Sequence, residues 1–255
     1  GNYERFLDGT FTSDNYMTTG RVYQSVIEKE RSMFYQGNCV QVVPHVPMEV
    51  IARIKAAQKK AGAECVVVEI GGTVGEYENI LFLEAARMMK IENQNDVAVV
   101  MVSFLPLPFA TGEMKTKPTQ HAVRTLQSSG LWPDIIVARS SVSLDEKRKE
   151  KLSFFCNILP SHIISAPDVA SIYDVPANFE KENVGDILSE VLHLPKVTSL
   201  LKKKQGEEKR VAWENFVKRV HTAKSEVRIA IVGKYFDTGD FTLSDAYLSV
   251  IESIK

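Results

Sequence analysis

The chain has 255 residues, of which 44% are hydrophobic and 25% charged, and a net charge of −1. This is an ordinary globular composition without the global basic field that nucleic-acid binding favours, so any anion site must be local. It has no run of about 18 apolar residues and so no predicted apolar membrane span, and its first residues, Gly1-Asn-Tyr-Glu-Arg-Phe-Leu7, have no signal-peptide pattern and read as the interior of a longer chain.

The pattern then predicts alternating helices and strands. Thr19–Arg31 puts Val22, Val26 and Ile27 on one helical face. Val40–Val43 reads as a strand and Met48–Ala61 as a helix with Val50, Ile51 and Ile54 aligned. Cys65–Ile70 reads as a strand, and its unbroken Val66-Val67-Val68 suggests burial on both faces of a parallel sheet. A helix over Asn79–Lys90, a strand over Val97–Phe104 and a helix over His121–Ser129 follow. Next come a strand at Ile135–Arg139, a helix at Leu144–Phe155, a strand at Ile163–Ala166 and a helix at Phe179–Leu192. This alternation predicts an open parallel α/β sheet with helices on both faces. Residues 1–193 form the main domain on this reading. Residues 194–226 are a linker with a charged Lys202–Arg210 stretch. Residues 227–255 begin a second domain, with a strand at Val227–Gly233 and a helix at Asp245–Ile254. Cys39, Cys65 and Cys156 form no CxxC and each adjoins apolar residues, which predicts buried structural thiols in a reducing, cytosolic setting.

Ligands of open α/β sheets bind beyond the carboxyl ends of the strands. The richest chemistry there is Thr111-Gly-Glu-Met-Lys-Thr-Lys-Pro-Thr-Gln120, with two lysines, three hydroxyls and a Gly turn before a helix. Such a run suits a polyanionic phosphate, although a solvated loop is its plain alternative. Glu69-Ile-Gly-Gly-Thr-Val-Gly-Glu-Tyr-Glu78 offers a strand-tip carboxylate and glycines that let backbone approach a ligand. Glu69 there is either a Mg²⁺ contact or part of a tight turn. Arg139 leaves another strand, as a phosphate contact or as a surface partner of Asp145 or Glu146. The Lys147–Lys151 stretch reads as a solvated helical face. Pro167-Asp168-Val169 reads as a base-reading or capping turn, and His45 as a structural histidine. No GxSxG elbow and no GxxxxGK[ST] occurs anywhere in the chain.

Several longer motifs carry a family resemblance. They are Gly1–Leu7, Met17-Thr-Thr-Gly-Arg-Val-Tyr23, Lys29-Glu-Arg31, Val40-Gln-Val-Val-Pro-His45, Glu69–Gly75 and Gly112–Gln120. Phe155-Cys-Asn157, Asp168-Val-Ala-Ser-Ile-Tyr-Asp-Val-Pro176 and Val232-Gly-Lys-Tyr235 complete the set. In this order they resemble the CTP synthase family over the whole chain. The resemblance implies a P-loop, dethiobiotin-synthetase-like amidoligase domain followed by the first βα unit of a class I glutaminase. It implies a ligase, acting in the cytoplasm in de novo pyrimidine biosynthesis, that aminates UTP to CTP with ATP and ammonia from glutamine. It also implies Mg²⁺, GTP as effector, feedback by CTP, and a homotetramer, with no nucleic-acid or membrane partner.

Residue by residue, the resemblance gives Glu69 to Mg²⁺, and Glu76, Tyr77 and Glu78 to CTP feedback. Lys115, Thr116, Lys117, Pro118, Thr119, Gln120 and Lys151 go to UTP or CTP, Asp168 and Val169 to the adenine of ATP, and His45 to amidoligase function. Glu76 stands where the family usually has Asp, and Val46-Pro-Met-Glu49 replaces its more usual Ile-Thr. Without GxxxxGK[ST], this chain by itself is expected to lack CTP-forming activity. Two other readings are a pyrimidine-nucleotide-binding regulator without a P-loop and another P-loop amidoligase such as a dethiobiotin synthetase.

Overall fold

The computed structural model describes residues 1–109, 112–195, 200–234 and 247–255. Thr111 of the lysine-rich run, Tyr235 of the last motif and Asp245 of the last predicted helix lie outside the described residues. The chain divides into two compact units, one of residues 17–197 and one of residues 1–16 with 198–255.

The larger unit is α/β. Helix α2 (Thr19–Arg31) follows α1 (Asn2–Leu7, in the other unit) and occupies the predicted span; its Thr18 cap accepts from Arg21 N–H. Helix α3 (Val42–Ala61) starts earlier than its apolar period suggested, with its first turn broken at Val43. Val40–Val43 is therefore not a strand. The residue before a proline avoids helical dihedrals, and Val43 (φ −112°, ψ 124°) obeys that rule without needing a strand partner. Val22, Val26, Val46 and Val50 pack α2 on α3, and Ala85 adds α4 (Ile80–Glu92). Glu49 is buried in that seam, where Lys29 and Arg53 donate to it. Burial pushes its carboxyl up, but hydrogen bonds from Lys29, Ser25 and Arg53 outweigh that and hold it below the usual carboxylate range.

A three-stranded parallel sheet follows, in the order β1 (Val100–Phe104), β2 (Ile135–Ser140), β3 (Ile163–Pro167). Helices α5 (Lys117–Ser128) and α6 (Glu146–Cys156) connect the strands on one face, as parallel pairing requires. Met101, Leu105, Ile136, Ala138 and Ile163 of that face share a core with Val123, Leu126 and Leu152 of the two helices. On the other face Ile135, Val137, Ile164 and Ala166 meet Phe179 of α7 (Val175–Lys181) and Val184, Ile187 and Leu188 of α8 (Val184–Val191). The single helix expected over Phe179–Leu192 is thus two, separated at Asn183, which adopts φ 55°. Each fully buried Leu or Ile contributes about 1.5–3 kcal/mol.

Two other predicted strands are not formed. Residues 65–70 and 227–233 have no regular structure. Val67 is 93% exposed and Val232 97% exposed. A strand needs a neighbour for its N–H and C=O groups, and among the described residues neither segment has a ladder partner. Cys39 and Cys65 are consequently exposed, and only Cys156 is the buried thiol predicted for all three.

The smaller unit holds α1, α9 (Leu200–Thr222) and α10 (Leu248–Ile254). Most of the expected linker is the 23-residue helix α9. Its Lys, Glu and Arg are good helix formers, and Arg210 pairs with Glu207 and Glu214 one turn away on either side. Arg5 of α1 donates to Ser249 O and Ser253 Oγ of α10, each at 2.8 Å, and Phe6 meets Trp213 with ring centroids 5.3 Å apart.

Candidate functional site

The chemistry-bearing residues gather at the carboxyl edge of the sheet. Leaving β1, Leu105 N–H donates to Arg139 O at 2.7 Å, and Ser140 Oγ donates to Leu105 O at 2.9 Å. The chain returns through Met114, which is buried in the core, and Lys115 N–H closes the loop on Pro106 O at 2.9 Å. Helix α5 then begins at Lys117, four residues before the predicted start. Pro118 explains this, because its fixed φ suits a first helical turn, where its missing N–H leaves no helical bond unmade.

The lysine-rich run is therefore half loop and half helix. Lys117 and Pro118 are exposed and Lys115 is half-buried, while Thr116, Thr119 and Gln120 face inward. Thr119 is fully buried, and its Oγ1 lies 2.8 Å from Ser103 Oγ of β1. Gln120 Nε2 donates to Thr116 Oγ1 at 3.1 Å. Lys117 thus stands on a first turn that Thr119 ties to the sheet, and Lys115 lies just before it.

Helix α6, which packs beside α5, carries the exposed Lys151. Asp145 caps that helix by accepting from Arg148 N–H at 2.8 Å, and pairs with the Arg148 guanidinium as well. Lys115 Nζ donates to Glu113 Oε2 at 2.5 Å. That hydrogen bond and the Lys115 charge hold the Glu113 carboxyl below its usual range, and the charges of Arg148 and Lys151 add to them.

At the ends of β2 and β3, Arg139 Nη1 donates to Ala166 O at 3.0 Å and Pro167 O at 3.2 Å, and Nη2 to Asp168 Oδ1 at 2.9 Å. Its partner is Asp168, whereas sequence reading offered Asp145 or Glu146. Asp168 N–H is fixed on Ser140 O at 2.9 Å, and Val169 beside it is half-buried.

The loop of residues 71–79 packs beside α5. Gly72 (φ 86°) and Gly75 (φ 100°) hold left-handed backbone that side chains strain, and a Cβ would also lie 2.6 Å from the Glu76 carboxylate and 2.8 Å from the Thr125 methyl, respectively. Asn79 is buried and donates to Thr73 O at 2.8 Å. Ile70 and Val74 pack on the sheet's core, which leaves Glu69, Tyr77 and Glu78 exposed. His45 is separate from these groups. At the start of α3 its Nδ1 takes the Gln41 N–H at 3.0 Å, and its ring meets Tyr35 edge-on at 4.9 Å. An open, largely apolar groove of about 700 Å³ between α3 and α4 is lined by Met48, Ile51, Met88 and Ile91 and includes none of the clustered cations.

Residues 1–194 match the family model described as CTP synthase N-terminus. The chain belongs to the CTP synthase family. Curated CTP synthases similar to it include those of Pyrococcus furiosus (46% identical), Archaeoglobus fulgidus (44%) and Nostoc punctiforme (43%). Each alignment takes in 100% of this chain but only 45%, 45% and 44% of the relative. The chain thus spans less than half the length of the CTP synthases it matches.

Sequence reading gave no role to Glu113, Ser103 or Asn79, and took Arg148 as part of a solvated helical face. Ser103 carried a usable signal, a hydroxyl at the inward position of an apolar strand between Met101 and Leu105. Glu113 and Arg148 carried none, because their importance depends on which helix packs beside the loop.

Proposed function

We propose that this chain supplies the pyrimidine-nucleotide part of an enzyme that aminates UTP to CTP, with ATP as phosphoryl donor and ammonia released from glutamine. The carrying observation is that the helix start bearing Lys115 and Lys117 is tied to the carboxyl edge of the sheet, through Lys115 N–H on Pro106 O and Thr119 Oγ1 on Ser103 Oγ. Lys115, Lys117 and Lys151 neutralise the triphosphate, and the start of α5 adds its positive end. Thr119 and Gln120 act from inside by fixing that helix start, and Pro118 sets its entry angle. The Arg139 guanidinium holds the Asp168–Val169 turn, where the adenine of ATP is read. Glu76, Tyr77 and Glu78 serve CTP feedback on the packed loop. His45, hydrogen-bonded at the α3 start, contributes by shaping that segment.

Among the described residues no three His, Cys, Asp or Glu side chains assemble a metal site. The exposed carboxylate of Glu69 fits one contact of a Mg²⁺ that arrives on nucleotide phosphates, since Mg²⁺ takes one or two carboxylates beside phosphate oxygens and water. Such a cation neutralises charge on the transferring phosphoryl group. GTP activation, a homotetramer, a glutaminase domain beyond about residue 227 and a reducing cytoplasmic setting belong to the same reading. No described helix is long and apolar enough to cross a membrane.

Calorimetric titration of the 255-residue chain with UTP, CTP and ATP tests the proposal. UTP and CTP are expected to bind, with a loss of about tenfold or more in Lys115→Ala, the scale of one charge-assisted hydrogen bond. Equal affinities for wild type and Lys115→Ala would sink it.

A further inference from the structure

Glu113 puts a carboxylate where the proposed ligand's phosphates belong. Met114 is buried in the sheet–helix core, so its neighbours Glu113 and Lys115 leave the loop on the same, solvent-facing side and meet at 2.5 Å. Lys115 is anchored, because its N–H is bonded to Pro106 O and α5 is tied to β1 through Thr119 and Ser103. From α6, Arg148 and Lys151 add their positive charge at the same carboxylate. Both members of the Glu113–Lys115 pair remain open to solvent, at 58% and 39% exposure, so an incoming anion can reach it. Arg148 already has Asp145 as a counter-ion, whereas Lys115 has Glu113.

We propose that Glu113 is a built-in counter-anion that holds Lys115, within the lysine cluster read above as a triphosphate site, until an oligophosphate displaces it. The inference rests on the reading of this cluster as a triphosphate site and adds a selection rule to it. A single carboxylate is outcompeted by a triphosphate, which engages several cations at once. A lone phosphate carries about −1.5 to −2 and offers one group, so it gains little over the carboxylate it must expel. Glu113 thereby raises the charge a ligand needs in order to stay.

The test is calorimetry on the 255-residue chain with inorganic triphosphate and with orthophosphate, comparing wild type, Glu113→Gln and Lys115→Ala. Gln keeps the size of Glu and one acceptor for Lys115 but removes the charge. Glu113→Gln is expected to bind triphosphate roughly two- to fivefold more tightly at low salt, the scale of one exposed ion pair, with the gain fading as ionic strength rises. Orthophosphate affinity is expected to rise by a larger factor, so that selectivity for triphosphate falls; an equal rise for both would overturn the selection rule. Unchanged or weaker triphosphate binding in Glu113→Gln, with a clear loss in Lys115→Ala, would overturn the counter-anion and leave the phosphate cluster standing. A gain that persists unchanged at high salt would also overturn it, because a charge effect must be screened. No loss in Lys115→Ala would overturn both.

Discussion

Ile135–Arg139 and Cys65–Ile70 are nearly interchangeable in composition, being short β-branched apolar runs that each follow an acidic residue, Asp134 and Glu64. One is the central strand of the sheet, with Ile135 and Ile136 inaccessible to solvent; the other has no regular structure and leaves Val67 93% exposed. The difference lies in the neighbours. β2 has a parallel partner on each side and helices over both faces, so its backbone groups and both sets of side chains are satisfied. β1 is intermediate, because among the described residues it has one partner and one covered face, which leaves Val100, Val102 and Phe104 exposed on the other. Strand propensity measures fit to a pleated, covered surface, and it is realised only where the chain supplies that surface.

The largest test of this contrast is stability. Ile136→Ala is expected to cost about 2–5 kcal/mol through lost burial and the cavity left behind. Val67→Ala should stay within about 0.5 kcal/mol, as exposed substitutions do. Urea denaturation at constant slope measures both; a comparable loss in the two would mean that residues 65–70 are as firmly packed as β2.

What could be read from sequence divides along the same line. α2, β2 and β3 were legible because local pattern and final neighbours agree; Thr18 caps α2 and Val22 and Val26 recur at helical spacing. The break near Asn183 and the α3 start were hidden because single residues, a left-handed Asn and the residue before Pro44, decide them. In the site, the lysines were visible as charge clustered before a helix. The inward turn of Thr119 was not, because its direction is set by Ser103, which sits on another element.

A middle-sized effect isolates that contact. In Thr119→Val the shape is kept while Ser103 Oγ loses its only described side-chain partner in a buried place, at a cost of about 1–3 kcal/mol. Adding Ser103→Ala should return much of the loss, since removing both polar groups is cheaper than stranding one. Triphosphate binding should weaken in Thr119→Val and recover in part in the double variant. If the double variant is as unstable as the sum of the singles, the hydroxyl pair does not hold α5 to β1.

The smallest effect compares the thiols of covered and uncovered segments. Cys156 closes α6 inside the core, and burial pushes its pKa up to about 11 from an ordinary 9.0, with Arg124 opposing the rise. Cys39 and Cys65 are exposed. At pH 8 a thiol reagent should therefore label two cysteines quickly and the third at a rate limited by opening of α6, since the thiolate is the reacting form. The sign of the pH effect follows from proton counting. Between about pH 9 and 11 the folded chain keeps the Cys156 proton that the unfolded chain has lost. The stabilisation is therefore complete below pH 9 and disappears as pH rises through about 11. Cys156→Ala should flatten this alkaline decline, whereas Cys65→Ala should leave it intact. Three thiols reacting at one rate would place Cys156 in an uncovered segment and remove the contrast between the sheet's core and residues 65–70.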